Sequence, residues 1–179
     1  MKKIIPTMCA ENIFQIDIQF YINNNFRFVF SDLDNTLNSF DSQLPDKRVI
    51  ELTKALHDNG IELIIISNNS YARVKKYSEQ LNVRFISRAF KPYTKKINNF
   101  IKTNNIDKNN AIIIGDQLLT DIKCANSAKI ISVLTEDLVE KNSWISFFNK
   151  TIEMKLLKKL EKKHLLLNWR DYHGYSKKS

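Results

Sequence analysis

The chain has 179 residues, enough for one compact domain with an appendage and a full hydrophobic core. Hydrophobic residues make up 43% and charged residues 26%, which excludes a disordered or collagen-like polypeptide. The net charge of +9 is lopsided: residues 1–140 carry 18 Lys/Arg against 16 Asp/Glu, whereas residues 141–179 carry 10 against 3.

The first 25 residues read as a short helix or an irregular lead-in. Met1-Lys2-Lys3-Ile4-Ile5-Pro6 imitates a secretory leader, but the apolar run stops at Pro6, and Glu11 and Asp17 follow soon after. Met8 is too large for the small residue that lipoprotein processing requires before Cys9. Cys9 and Cys124 are the only cysteines and lack zinc-site spacing, which fits a reducing compartment. No stretch approaches the ~20 apolar residues of a membrane span. The expected location is cytoplasmic, with peripheral contact on the inner face of the membrane open to the basic tail.

Residues 26–31 form the first continuous apolar run and end in Asp32-Leu33-Asp34-Asn35-Thr36. A run without alternation fits a strand buried on both faces, as in a parallel sheet. Residues 46–59 place Val49, Leu52 and Leu56 on one stripe before Gly60, predicting a helix. A second strand over 61–67 leads into Ser67-Asn68-Asn69. Ser70 suits the N-cap of a helix over Tyr71–Leu81, with Val74, Tyr77 and Leu81 inward. A third strand is predicted at 83–87 and is followed by Lys91-Pro92. Pro92 lacks an N–H and suits the opening of a helix over 93–103, with Ile97, Phe100 and Ile101 inward. A fourth strand, Ala111–Gly115, precedes Asp116-Gln117-Leu118-Leu119-Thr120-Asp121, a helix over 119–127 and a weaker strand at 130–134. This alternation predicts an α/β fold for residues 1–140, a doubly wound parallel sheet in three α/β/α layers.

Residues 141–179 read as a basic amphipathic helical extension. Ile145, Phe148, Ile152, Leu156 and Leu160 recur at helical steps, Lys155, Lys158 and Lys162 lie opposite, and Lys159 and Lys163 flank them. Such a helix can lie on an anionic membrane. It can equally pack on the sheet with a solvated lysine face. Both readings stand at this point.

Ligands of doubly wound sheets gather at the carboxyl ends of the strands. Taken singly, the polar clusters there are unremarkable: Asp34-Asn35-Thr36 fits a turn, Ser67-Asn68-Asn69-Ser70 a helix cap, Lys91 a surface lysine. Delivered together to one edge, they suit phosphate and Mg²⁺. Asn68, Asn69, Gln117 and Thr120 fit supporting or capping roles.

Asp32-x-Asp34-Asn35-Thr36, Ser67, Lys91 and the pair Asp116 and Asp121 resemble, in order, the four motifs of haloacid dehalogenase (HAD) superfamily phosphatases. With Arg88-Ala89-x-Lys91-Pro92, Gly115-Asp116-Gln117-Leu118-Leu119-Thr120-Asp121 and the Trp144-to-basic-tail pattern, most of the chain is similar to the YqeG-type branch of the capless subfamily IIIA. That branch is related to mitochondrial phosphatidylglycerophosphate phosphatases. The resemblance implies an HAD-like Rossmannoid fold with Asp32 as nucleophile and Asp34 as general acid and base. Ser67, Asn68 and Lys91 would bind the phosphoryl group. Mg²⁺ would sit on Asp32, Asp116 and the Asp34 carbonyl, with Asp121 either in its outer shell or bound directly. An acid at position 34 favours phosphoryl chemistry over dehalogenation. After Leu37, Asn38-Ser39-Phe40-Asp41 departs from the Val-Pro-Trp-like flap of the branch.

In that family a cap domain enters between the first and second motifs or between the second and third. Asp32 to Ser67 spans 35 positions and Ser67 to Lys91 spans 24, each filled by one helix and one strand. No cap is therefore expected, and an open site suits large or surface-embedded substrates. The implied activity is Mg²⁺-dependent hydrolysis of a phosphomonoester through an aspartyl-phosphate, on a phospholipid headgroup such as phosphatidylglycerophosphate. Protein or nucleic-acid phosphates are the alternative substrates. A nucleic-acid or ribosome-associated binding module is the alternative outside enzymes, although the tail carries no specific nucleic-acid motif.

Overall fold

The computed structural model describes residues 2–136, 138 and 144–174, the side chains of residues 2 and 144–150 excepted. Strands β1 (Met8–Cys9), β2 (Phe28–Ser31), β3 (Glu62–Ile66), β4 (Arg84–Ile86), β5 (Ala111–Gly115) and β6 (Ile131–Leu134) form one parallel sheet. Their order is β1-β6-β5-β2-β3-β4. The chain runs outward from β2 through β3 and β4, then returns to place β5 on the other side of β2. The reversal falls between β2 and β5, so the loops after these two neighbouring strands open on a common crevice.

The apolar runs lack alternation because both faces of the sheet are covered. Val29, Leu63, Ile65, Ile112 and Ile114 meet one layer, with Phe20 and Tyr21 of α1 (Ile18–Asn23), Val49 and Leu56 of α2 (Lys47–Asp58), and Val74 and Tyr77 of α3 (Tyr71–Leu81). Phe30, Ile64, Ile66 and Ile113 meet the other, with Ile97 and Ile101 of α4 (Lys95–Thr103) and Cys124 and Ala125 of α5 (Lys123–Ala128). Each such aliphatic side chain contributes roughly 1.5–3 kcal/mol by leaving water. The expected three-layer α/β/α sandwich is the fold observed, and no cap interrupts it: α2 and β3 separate Asp32 from Ser67, and α3 and β4 separate Ser67 from Lys91.

Four local expectations change. The lead-in contains β1, paired with β6 through Met8 to Val133 and Cys9 to Leu134. Two residues are too few to show a period, and only the distant partner defines the strand. Pro92 does not open a helix: Lys91-Pro92 is a cis peptide in a turn, and α4 begins three residues later. The helix expected over 119–127 is a π-helical turn, Leu118–Ile122, running into α5. In α6 (Trp144–Glu161) the packed residues are Leu156, Leu157 and Leu160, set against Leu118, Ile122 and Leu134, whereas Ile152 is 45% exposed.

Beyond α6 the chain returns to the body. The Cys9 amide donates to the Leu167 carbonyl at 2.7 Å, and buried Trp169 meets the Phe20 ring edge-on at 5.4 Å. The expected boundary at 140/141 and the side chains of Ile145 and Phe148 lie outside the described residues. Among the described residues, no helix is long and apolar enough to cross a membrane.

Candidate active site

Strand ends bring the polar clusters together. Ser31 ends β2, and the Asp32 amide donates to the Ile114 carbonyl at 2.9 Å, which fixes the Asp32 loop to its neighbour strand. Asn35 then adopts a left-handed conformation, φ 67°, which asparagine tolerates better than most residues. The turn closes through the Leu37 and Asn38 amides, both donating to the Leu33 carbonyl. Ser67 follows β3, Lys91 follows β4, and Asp116 follows β5. A cavity of about 480 Å³ is lined by Asp32, Asp34, Ser67, Lys91 and Asp121, with Asn68, Asn69, Gln117, Thr120 and Phe40 around them.

Lys91 is the electrostatic centre. Its ammonium donates to Asp32 Oδ1 at 2.5 Å, to Asp121 Oδ1 at 2.6 Å and to the Ile66 carbonyl at 3.0 Å, with the side chain 3% exposed. Burial alone would lower the lysine pKa, but attraction to Asp121 and Asp32 outweighs it and the ammonium stays charged. Burial drives the Asp32 carboxyl the other way, up to about 6; Lys91 opposes the rise, and Asp121 and Asp34 add to it.

Asp32, Asp116 and Asp121 each bring a carboxylate oxygen to within 4.8 Å of the others. The Lys91 ammonium offsets one of these three buried negative charges, and the hard oxygen donors suit a small divalent ion that would balance the rest. Gly115 supports the same reading. A Cβ there would come within 2.4 Å of Asp121 Cγ, so the third carboxylate can enter the cluster only beside a glycine. Asp121 is further held by the Gln117 amide at 3.1 Å and by Thr120 Oγ1 at 3.4 Å, while Thr36 Oγ1 donates to Asp116 at 3.3 Å. The residues fit a divalent metal.

The predicted site residues converge, with some redistribution of roles. The Asp34 carboxylate stands outside the three-acid cluster. Asn68, expected on the substrate, lines the cavity, yet its amide embraces the Lys91 main chain, accepting from the Lys91 N–H at 2.7 Å and donating to the carbonyl at 3.0 Å. That pair of bonds sets the course of the turn carrying the lysine. Ser67 is buried and its Oγ accepts from the Asn69 amide at 3.1 Å. Asn69 in turn donates to Asp34 Oδ2 at 3.2 Å.

Sequence reasoning missed Arg73, which donates to Asp34 Oδ1 at 2.5 Å, and the part played by Gly115. A lone arginine inside a helical pattern gives no signal, because its partner lies 39 positions away. The glycine stood in the motif, but its reason, the close approach of Asp121, exists only in three dimensions.

A doubly wound parallel sheet carrying these four clusters at its carboxyl edge, with carboxylates gathered for a cation, defines a class of hydrolase. The chain belongs to the haloacid dehalogenase-like hydrolase family, whose model matches residues 7–135. It is similar to the probable phosphatase YqeG of Bacillus subtilis (strain 168), with 33% identity over 162 residues, 90% of this chain and 94% of that one. Its activity is that of a phosphatase. Among solved structures, the fold is like that of an uncharacterized protein from Listeria monocytogenes serotype 4b, at TM-score 0.53 and 18% identity over 75% of this chain and 99% of that one. A hypothetical protein from Xanthomonas campestris gives TM-score 0.50 and 14% identity over 78% and 79%.

Proposed function

We propose that the enzyme hydrolyses a phosphate monoester presented at a surface, through an aspartyl-phosphate on Asp32, with a phospholipid headgroup as the substrate class. The observation that carries this reading is the buried Asp32–Lys91–Asp121 contact at the floor of an uncapped cavity. A dianionic ester is repelled by a carboxylate nucleophile unless cations neutralise it. Lys91 supplies one positive charge. Mg²⁺ held by Asp32, Asp116 and the Asp34 carbonyl would supply more, with Asp121 beside it.

Asp32 attacks phosphorus; the carboxylate O–P bond forms as the bond to the leaving alcohol breaks. Asp34 gives its proton to that alcohol and then takes a proton from the incoming water. Attack by this water breaks the acyl-phosphate bond, releasing phosphate and regenerating Asp32. Ser67 Oγ and Lys91 Nζ hold the equatorial oxygens, where negative charge is spread in the transition state. Asn68 acts through the turn that carries Lys91.

The rim of the cavity favours a surface-borne ester. Phe40 on its lip is half exposed; outside the cavity lining, Phe90 and Tyr93 flank Lys91-Pro92 in the chain and are 59% and 76% exposed. The lysine face of α6 and the turn after it, Lys155, Lys158, Lys159, Lys162 and Lys163, is exposed while its leucines are packed. Membrane contact by this segment is thus electrostatic, through lysine ammonium groups near anionic headgroups.

The test is turnover with Mg²⁺ on phosphatidylglycerophosphate in anionic vesicles, phosphopeptides, end-phosphorylated oligonucleotides and sugar phosphates. Wild type turns over the lipid best, and Asp32→Asn lowers the rate by at least about 10³-fold. Turnover confined to soluble sugars would remove the lipid reading, and turnover insensitive to Asp32→Asn the catalytic one. Lys158→Glu with Lys162→Glu reduces vesicle co-sedimentation; unchanged binding rules out the lysine face.

A further inference from the structure

Arg73 lies in the first turn of α3, directly after the Ser67-Asn68-Asn69 loop, and its amide donates to the N-cap Ser70 Oγ at 3.4 Å. Its guanidinium leaves the helix and makes three bonds. Nη2 donates to Asp34 Oδ1 at 2.5 Å and to the Phe40 carbonyl at 2.7 Å, and Nη1 donates to the Ser42 carbonyl at 2.9 Å. The arginine and aspartate side chains are 15% and 21% exposed, so water competes for this contact only in part. Arg73 is not among the residues that line the cavity.

The flap it grips has its own internal bonding. Ser39 Oγ donates to Asp41 at 2.5 Å and lies 2.8 Å from Ser42 Oγ, and Asn38 Nδ2 donates to the Leu44 carbonyl at 3.1 Å. The flap is therefore a formed loop, and the guanidinium joins it as a unit to Asp34. The other Asp34 oxygen, Oδ2, accepts a longer bond from the Asn69 side-chain amide at 3.2 Å.

We propose that Arg73 is a positioning residue for the acid step: it anchors Asp34 by Oδ1 so that Oδ2 carries the proton to the leaving alcohol. The same guanidinium sets the flap, with Phe40 over the cavity, in register with that acid. This rests on the role given to Asp34 in the proposed function. A planar fork is what the task requires. It reaches a carboxylate and two carbonyls in different directions, whereas a lysine ammonium at the same site is a single point charge on a flexible stem. Proton transfer is sensitive to heavy-atom distance, so a carboxyl left to swing loses effectiveness as an acid while the nucleophile beneath it is untouched.

Leaving groups distinguish positioning of an acid from a structural contact. p-Nitrophenolate departs without a proton; phenolate and alkoxides need one. kcat/KM would be measured for wild type, Arg73→Ala, Arg73→Lys, Asp34→Asn and Asp32→Asn on p-nitrophenyl phosphate, phenyl phosphate and an alkyl phosphate, with thermal melts of each protein. Arg73→Ala is expected to lose on the order of 10²-fold on the alkyl ester and less than about tenfold on p-nitrophenyl phosphate, following Asp34→Asn. Arg73→Lys keeps the charge and secures the fold, and shows the same steepening at smaller amplitude. Equal loss on all three esters, or no loss, overturns the proposal. Absence of Asp32-dependent turnover in wild type is a separate result that removes the proposed function and, with it, the role of Asp34.

Discussion

At the scale of single residues, the site is held together by charges that cannot be moved one at a time. Asp32 has its pKa raised to about 6, first by burial, against an ordinary value of about 3.9 in an unfolded chain. A raised carboxyl pKa means that the folded protein keeps a proton the unfolded chain has already released. The contribution of Asp32 to stability without divalent cation should therefore be full below pH ~4 and fall as pH rises towards 6. Asp32→Asn should flatten that slope, and thermal melts across the window check it; an unchanged slope would assign it elsewhere. Gly115 makes a sharper case. Ala at this position places a methyl group within 2.4 Å of Asp121 Cγ. Gly115→Ala is expected to weaken divalent-cation binding by about 10–100-fold, as calorimetric titration would show. Affinity equal to wild type would mean that Asp121 has no part in holding the ion.

At the scale of elements, helix caps carry the positioning outward. Asp46 Oδ1 accepts from the Val49 amide at 3.1 Å at the start of α2, and Ser70 does the same for α3, the helix that carries Arg73. The Asp46 pKa is lowered: burial opposes this, but the Val49 and Arg48 hydrogen bonds prevail. Asp46→Ala should therefore cost about 1 kcal/mol at neutral pH. With a lowered folded pKa, that contribution is present above about pH 4 and is lost as pH falls through the folded value. Denaturant titrations carried down from pH 7 would show a gap that narrows as the pH falls below about 4. The Ser70 cap was legible in the sequence because it is local; so were strands β2 to β6 and helices α2 and α3, whose apolar patterns are continuous. The two-residue β1 and the turn at Lys91-Pro92 were not, because neither is set by residues near it in the chain.

At the scale of the whole molecule, the C-terminal segment is tied into the body it follows. Trp169 enters the main core beside Phe20, and Leu160 closes a smaller cluster over Leu118 and Ile122, the turn that holds Asp121. The Leu119 amide donates to Glu153 of α6 at 2.9 Å, a second tie between the extension and the active-site turn. Trp169→Ala should cost about 3–5 kcal/mol, measured by equilibrium unfolding. A cost below about 1 kcal/mol would mark the segment as an independent appendage.

The sequence by itself determined the layered α/β architecture, since apolar runs without alternation have to be covered on both faces. It also determined which residue types arrive at the carboxyl edge, because the order of strands and polar clusters leaves that edge no other content. Tertiary structure decided the rest. Lys91 lies between Asp32 and Asp121, Asn68 is turned to the Lys91 main chain, and Arg73 joins the flap to Asp34, each across 20 or more positions of chain. The helical stripe of the tail was visible in the sequence, but which leucines it buries was not. That depends on the surface opposite, and a periodic pattern states only that some surface must meet it.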